Sequence, residues 1–551
     1  MSIFKDKFLW LTLLVGLVTV APQVIYQPFL LQGDHGRDLY LFQQVAHGAV
    51  PYRDIATDNG PLMPYYYAFF LNTFGESVQS TLLGYALLIL LTGLLMFLIV
   101  RRTISGGWAF ICAFWYWAWR GQEFFYTFNH IGALVLGLSI LYFTLALLET
   151  SRRRYILYAV IGSLGCILIR PDIGLASLAA FILCYLSQKP DRAPFRFWSL
   201  LALCSSVAIA VAGMQFYCPG LFGRYIAASH LNLILPNLAH FFHERWIFLT
   251  QNRLIGGISG LMALLFVTGM ISLFRNRDTI TTQKLARQMI CTVIFLGFFF
   301  MEYLLGTRFF RWIWIMPMLF LIIFYGVSAS FSMLSDEIKR LCAAVMLGVC
   351  SIMIALNYMD ALSAKQEGSI LVVGKTQVML APAQRDWIRT VENASNVIMQ
   401  HTPSNATILT IPYDALYGFL TQRRLALKDS FLFQTDSETL IQAIQSQNVN
   451  VILISNRAFR HNEQDRFGLF GKTYGKKSWH YIQKNYALIS EIGPWDQVAT
   501  ALTHHAVRIY IRKPSIGEQI PVCPVIPPEN DPIEEGIRKD LEQNLNFSSK
   551  I

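Results

Sequence analysis

Long apolar runs separated by short basic or polar stretches fill the first 360 residues, and a membrane-crossing helix needs about 20 mostly apolar residues. The pattern predicts spans near 8–30, 80–100, 106–119, 131–149, 155–169, 172–187, 197–216, 254–274, 288–305, 312–333 and 340–359, eleven in all. The third, fifth and sixth runs are short, which tilting or a partly re-entrant path would accommodate. The first run has no small-residue cleavage site and is followed by many more, so it reads as a retained helix.

Beyond about residue 360 the pattern changes. Polar helical stretches alternate with short β-rich runs, Ala406–Ile411, Val449–Ser455 and Ala506–Ile511. Gln384 to Gln400 predicts an amphipathic helix, and His401 to Ala406 a turn before a strand. Residues 360–514 read as a small soluble α/β domain, and 515–551, Pro-rich and then charged, as a loosely ordered tail. The fold class expected is thus a polytopic α-helical membrane protein, 1–359, with a C-terminal soluble α/β domain.

Composition agrees with the bilayer as solvent. Only 14% of the 551 residues are charged and 54% are hydrophobic, too few charges to wet a soluble protein of this size. Aromatic residues at 14% exclude a disordered chain. The net charge of +11 would suit nucleic acid if it formed a stripe. Instead, Arg101-Arg102, Arg152 to Arg154, Lys189 to Arg196, Arg275 to Arg287 and Lys339-Arg340 sit between apolar runs, as cytoplasmic loops do. A nucleic-acid partner is therefore not expected. With a cytoplasmic N-terminus, all these clusters fall inside, and an odd span count puts 31–79, 120–130, 217–253 and everything after about 360 outside. Most of the nine cysteines lie in apolar runs as small hydrophobes; Cys218 and Cys523 do not, so one disulfide is possible, but their spacing does not argue for it.

The first outer loop gathers candidate chemistry. Residues 31–64 hold four carboxylates, Asp34, Asp38, Asp54 and Asp58, in a chain with 34 acids. If Arg37 to Ala46 is helical, Asp34 and Asp38 lie on nearly one face of its first turn, where the helix dipole favours acids. Asp34 would equally serve as a plain N-cap. Gly33, Gly36, Gly48 and Gly60 permit tight turns, and Pro51, Pro61 and Pro64 stiffen the loop. Gly60 to Gly75 is apolar and aromatic but too short to cross, and it reads as an interfacial helix with its tyrosines at headgroup level.

On these residues the chain resembles the GT-C glycosyltransferases, in particular the protein mannosyltransferase and aminoarabinose transferase-like group (glycosyltransferase family 39/83-like). That group has an acid after the first helix, here Asp34, and then a segment of the type G-x-x-PYRD-x-x-x-x-x-GPL, here Gly48 through Leu62. The stretch HTPSNATILTIPYDALYGFLTQRR in the tail is similar more weakly. Many members follow the first acid with Glu, whereas this chain has His35, then Gly36, Arg37 and Asp38. Asp38, Asp58 and Asp172 thus all stand as candidates for the second acid.

The resemblance implies transfer of a sugar from a polyprenyl-phosphate carrier to a glycan, lipid or protein acceptor. The reaction would take place on the outer face, with inversion, and the expected setting is the bacterial inner (plasma) membrane among its lipids. Such a displacement needs a carboxylate to take the acceptor's proton and cations to stabilise the departing phosphate. Asp34 would be the base, with Asp38 or Asp58 as its companion. Arg120, Arg170, Arg308 and Arg311, at expected outer ends of helices, are candidates for the phosphate because guanidinium matches phosphate oxygens in pairs. Arg53, within the PYRD segment, and Asp172 join them as substrate-binding candidates. Each arginine would equally snorkel to headgroups, and Arg170 with Asp172 would equally form a stabilising pair. His130, His230, His240 and His243 show no zinc spacing, so no structural metal is expected; a divalent cation on Asp34 and its neighbours is left open. The rival reading is a transporter or flippase, which would usually carry internal repeats and a midplane site.

Overall fold

The computed structural model describes residues 5–25, 33–57, 60–119, 128–186, 284–305, 316–331, 335–367, 369–374, 376–380, 385–428, 436–460, 467–497, 499 and 504–513, with single positions at 212, 213, 223, 264, 267 and 271. The chain opens with helices α1 (Lys7–Ile25), α2 (Asp34–Ala46), α3 (Leu62–Phe74), α4 (Val78–Val100), α5 (Gly106–Trp119), α6 (Phe128–Thr150), α7 (Arg154–Ile169) and α8 (Pro171–Leu186). Next among the described residues come α9 (Lys284–Leu305), α10 (Met316–Phe331) and α11 (Asp336–Glu367). Nine of the expected apolar runs coincide with these helices; 197–216 and 254–274 lie almost wholly outside the described residues, as do Cys218, Cys523 and the tail.

Among the described residues, Val78–Val100, Phe128–Thr150 and Asp336–Met359 are long and apolar enough to cross a bilayer, and Lys7–Val20, Arg154–Ile169, Pro171–Leu186 and Pro317–Gly326 are shorter apolar helices. Their outward faces are greasy. On α11 the exposed Leu341, Val345, Val349, Ile352, Leu356 and Met359 recur every three or four residues, and α1 exposes Trp10, Leu14, Leu17 and Val18. Such apolar stripes suit hydrocarbon rather than water.

Arg101, Arg102 and Arg287, from two of the basic clusters, meet at one end of the bundle, while Lys189 to Arg196 lies outside the described residues. Arg101 Nε donates to Asp6 at 2.6 Å, Arg102 pairs with Glu149 at 2.7 Å, and Arg287 donates to the Leu148 carbonyl at 3.0 Å. The start of α1, the end of α4, the end of α6 and the start of α9 therefore share this end. At 1.5 Å per residue the 23 residues of α6 carry the chain about 34 Å from Phe128 to Thr150.

The α7–α8 hairpin is set by its junction sequence. Pro171 disfavours a helical conformation at Arg170, which is extended with φ −146° and ψ 112°, and itself opens α8. The amphipathic α3 is too short to span, with Leu62, Tyr65 and Phe69 exposed on one row and Met63, Tyr67, Phe70 and Leu71 buried. The tyrosines differ from expectation. Tyr66 and Tyr67 turn inward, donating to the carbonyls of Gly84 at 2.7 Å and Phe128 at 3.3 Å, because a buried hydroxyl needs a partner.

After α11 the chain forms an antiparallel hairpin of β1 (Ser369–Val373) and β2 (Thr376–Leu380), then α12 (Arg385–His401), β3 (Thr407–Ile411), α13 (Leu416–Thr421), β4 (Arg424–Leu425), α14 (Ser437–Ser446) and β5 (Val451–Ser455). Short strands β6 (Phe459–Arg460) and β7 (Phe467–Gly468) follow, then α15 (Lys476–Asn485), β8 (Tyr486–Ile492) and β9 (Val507–Arg512). The main sheet runs β4-β3-β5-β9-β8. Its centre is the three β-rich runs of the sequence. Strand β3 lies parallel to β5, Ile408 opposite Val451, and β9 antiparallel to β5, Ser455 opposite Val507. β5 is buried along its whole length, which explains its unbroken apolar sequence VILIS.

Helix α2 lies between the bundle and the sheet. Toward the bundle, Phe42 stacks on Tyr67 at 4.5 Å and meets Phe128 edge-on at 5.5 Å. Toward the sheet, the Tyr40 hydroxyl accepts the Leu425 amide at 2.7 Å and Gln43 donates to the Phe419 carbonyl at 3.2 Å.

Candidate functional site

The site begins at the first turn of α2. Helix formation starts earlier than Arg37, at Asp34, and the cap position belongs to Gly33 at φ 59°, ψ −121°. Asp34 is therefore not the N-cap. Its carboxylate, half exposed, accepts a hydrogen bond from the Tyr413 hydroxyl and lies 3.8 Å from Arg37 Nη1. One turn on, Asp38 is buried and accepts from Arg37 Nε at 3.1 Å and Nη2 at 3.0 Å. The two acids thus converge on one guanidinium, which the four-residue spacing allows.

Tyr413 arrives from the sheet, through a cis Ile411–Pro412 peptide bond at the end of β3. The parallel strands β3 and β5 end side by side, so the residues just past them meet, as in other α/β sheets. Arg457, after β5, donates from Nη1 to the Tyr413 carbonyl at 3.0 Å and to Asp414 Oδ1 at 3.2 Å. Ser455 donates to the other Asp414 oxygen at 2.5 Å. Burial, with the charges of Asp34 and Asp38 adding to it, raises the Tyr413 phenol well above its ordinary range despite the opposing effect of Arg37. The hydroxyl therefore remains a donor at physiological pH.

A second cluster lies around the first turn of α6. His35 meets Phe128 edge-on at 5.9 Å, and two residues on, His130 Nε2 bonds to Arg170 Nη1. Buried Arg170 also donates from Nε to Asp172 Oδ1 at 3.0 Å, with a second contact from Nη2. Asp172 accepts the Ile173 amide at 2.9 Å, which fixes it at the start of α8. The first loop closes on this mouth, the Gly60 amide donating to the Ile169 carbonyl at 2.8 Å. Both clusters sit at the Phe128 end of α6, while Glu149 at its other end pairs with Arg102.

No family profile matches the chain, and no curated protein matches it. Among solved structures, ArnT from Cupriavidus metallidurans bound to undecaprenyl phosphate is similar over 92% of this chain and 98% of its own, with a TM-score of 0.50 and 13% identity. The apo state of the same protein is similar over 91% and 97%, with a TM-score of 0.49 and 13% identity. The chain has the GT-C fold. It is a polytopic membrane protein.

Within the GT-C fold the sequence-derived candidates separate into groups. Asp34 and Asp38 come together through Arg37, and Arg170 and Asp172 through a direct pair. Arg53 is exposed and reaches Asp54 at 2.7 Å. The Arg53 side chain, together with the Val50 amide, holds the Asp54 carboxyl down at about 2. That turn is tied to the sheet, the Ala56 amide donating to the Lys428 carbonyl at 2.9 Å and Lys428 Nζ to the Arg53 carbonyl at 2.7 Å. Asp58, Arg120, Arg308 and Arg311 lie outside the described residues.

The parts of Arg37, Tyr413 and Arg457, and the pairing of His130 with Arg170, are not apparent from the sequence alone. The signal for Tyr413 was present, since it stands inside the tail stretch that carries the weaker family similarity. Among the described residues no group of three His, Cys, Asp or Glu side chains is placed to hold a metal ion.

Proposed function

We propose that the protein is a membrane glycosyltransferase that moves a sugar from a polyprenyl-phosphate-linked donor to an acceptor hydroxyl on the outer face, with inversion and with Asp34 as general base. The observation that carries this reading is the Asp34 carboxylate, half exposed at the junction of bundle and sheet and held by Tyr413 and Arg37, at the bundle end opposite Arg101, Arg102 and Arg287. By the positive-inside rule the basic end is cytoplasmic, so the Asp34 end faces outward. The sheet unit, 360–514, is then an extracytoplasmic domain, and a bacterial inner membrane is the setting.

In the proposed step the acceptor oxygen attacks the anomeric carbon as the bond from that carbon to the phosphate oxygen breaks. The acceptor proton passes to Asp34 and the bond electrons leave with polyprenyl phosphate. The departing phosphate gains charge, and Arg170, in a mouth beside the lipid-facing helices, is the described arginine best placed to meet it. That the similar ArnT structure holds undecaprenyl phosphate supports a polyprenyl-phosphate partner. Asp38, buried against Arg37, fits a companion that orients rather than one that exchanges protons with solvent.

The test uses membranes containing the full chain, a polyprenyl-phosphate sugar and candidate acceptors. Acceptor-dependent release of polyprenyl phosphate is expected, and Asp34→Asn should lower it by about 10²–10⁴-fold. Full turnover by Asp34→Asn would refute the base assignment. A solute crossing vesicles with no donor consumed would replace the reading with transport.

A further inference from the structure

Tyr413 of the sheet unit reaches Asp34 of the bundle. We infer that Tyr413 is a positioning residue for the base, its hydroxyl donating to Asp34 so as to aim the carboxylate and favour its charged form. This inference rests on the reading of Asp34 as the base.

Three observations carry it. First, the contact is oxygen to oxygen between groups 379 residues apart, so only the docking of sheet on bundle makes it. Second, Tyr413 is itself fixed from behind. Arg457 bonds the Tyr413 carbonyl and Asp414, and Ser455 holds Asp414 from the same strand end, so the phenol is mounted on the ends of two parallel strands. Third, Gly33 presents its backbone to this ring. A Cβ there would lie 3.5 Å from Tyr413 Cε1 and 3.9 Å from Arg457 Nη2, so α2 starts in van der Waals contact with the residues that steer its first acid.

The hydrogen bond acts on the charged form. A phenol donating to a carboxylate stabilises the anion, so its removal makes Asp34 harder to ionise. Among the described residues, the charged and titratable groups near Asp34 include His35, Arg37 and Asp38 on α2, and Tyr413 and Arg457 with Asp414 from the sheet. On α6 and at the α7–α8 junction, His130, Arg170 and Asp172 bond among themselves. Tyr413 is a neutral donor, so deleting its hydroxyl alters the hydrogen bond without altering net charge.

The experiment reads the acid limb of the pH profile for donor turnover, because a residue with only a structural role would lower the rate without moving that limb. Tyr413→Phe in the full chain should lower kcat about tenfold, leave KM for the lipid donor within about twofold, and move the limb up by about one pH unit. Replacing Tyr413 with 3-fluorotyrosine keeps the shape and makes the phenol a stronger donor, so the limb should move down. If Tyr413→Phe does not fold, judged by thermal unfolding in detergent, the fluorinated protein decides alone. An unmoved limb, with Asp34→Asn inactive, overturns the inference and leaves the base reading intact. Full activity of Asp34→Asn removes the base reading itself.

Discussion

The Tyr413 hydroxyl and the Asp34 carboxylate meet across the boundary between a sheet and a helical bundle. Neither group is placed by its own element alone. Asp34 owes its position to Gly33, whose φ of 59° and ψ of −121° let the chain turn into α2, and Tyr413 owes its position to the end of β3.

Gly33→Ala should therefore disturb the pair. Its backbone conformation is one that L side chains rarely adopt, and forcing one there costs about 1–3 kcal/mol. On the proposed function, the expected outcome is a protein that still folds but turns over lipid donor at least about tenfold more slowly, because a shift of about an ångström misaims the proposed base. Unchanged turnover at unchanged expression would show that the start of α2 does not aim Asp34.

The Gly60 contact makes a sharper claim. A Cβ at this position would fall 2.0 Å from the Leu168 carbonyl oxygen and 2.7 Å from that of Ile169, and backbone cannot swing aside as a side chain can. Gly60→Val should separate the first loop from the α7–α8 mouth and lower the thermal midpoint in detergent by several degrees, in line with overpacking costs of about 1–3 kcal/mol. A midpoint equal to that of the parent would mean that the loop is not seated there.

Arg170 and Asp172 offer a way to separate stability from chemistry. Arg170→Gln removes a buried cation from a largely covered carboxylate and should destabilise by about 3 kcal/mol, whereas Arg170→Met with Asp172→Leu removes both charges and should recover most of the loss. On the proposed function the double variant stays inactive, since the phosphate has lost its guanidinium. Donor turnover near the parental rate in the folded double variant would remove Arg170 from the substrate site.

The sheet carries a pH-sensitive residue of its own. His505, just before β9, is buried against Trp387 and shares a 3.0 Å hydrogen bond with the Tyr417 hydroxyl, and burial pushes its pKa down to about 4 from the ordinary 6.5. Unfolded chain thus binds a proton that folded chain refuses between these values. The stability is full above pH 6.5 and falls as the pH drops toward 4, by about 3 kcal/mol over that window. Protection factors of the β9 amides, taken relative to the intrinsic exchange rate at each pH, should fall as the pH drops from 6.5 toward 4 in the parent and depend less on pH in His505→Gln. Equal pH dependence in the two proteins would assign the effect elsewhere.

The order of apolar runs, the basic clusters between them and the β-rich runs near 406–411, 449–455 and 506–511 were legible in the chain itself, because spacing and period are local properties. So was the concentration of acids in the first loop. Local sequence did not show that α2 begins at Asp34, since a glycine at φ 59° displaced the expected cap, nor that Tyr66 and Tyr67 turn inward to carbonyls of α4 and α6. The joining of Asp34 to Tyr413, of Arg170 to His130 and of Gly60 to Ile169 belongs to tertiary structure alone. Each joins residues far apart along the chain, and such contacts depend on how whole faces pack. Periodicity tells which face of a helix or strand is greasy, while only docking decides which polar groups meet at its end.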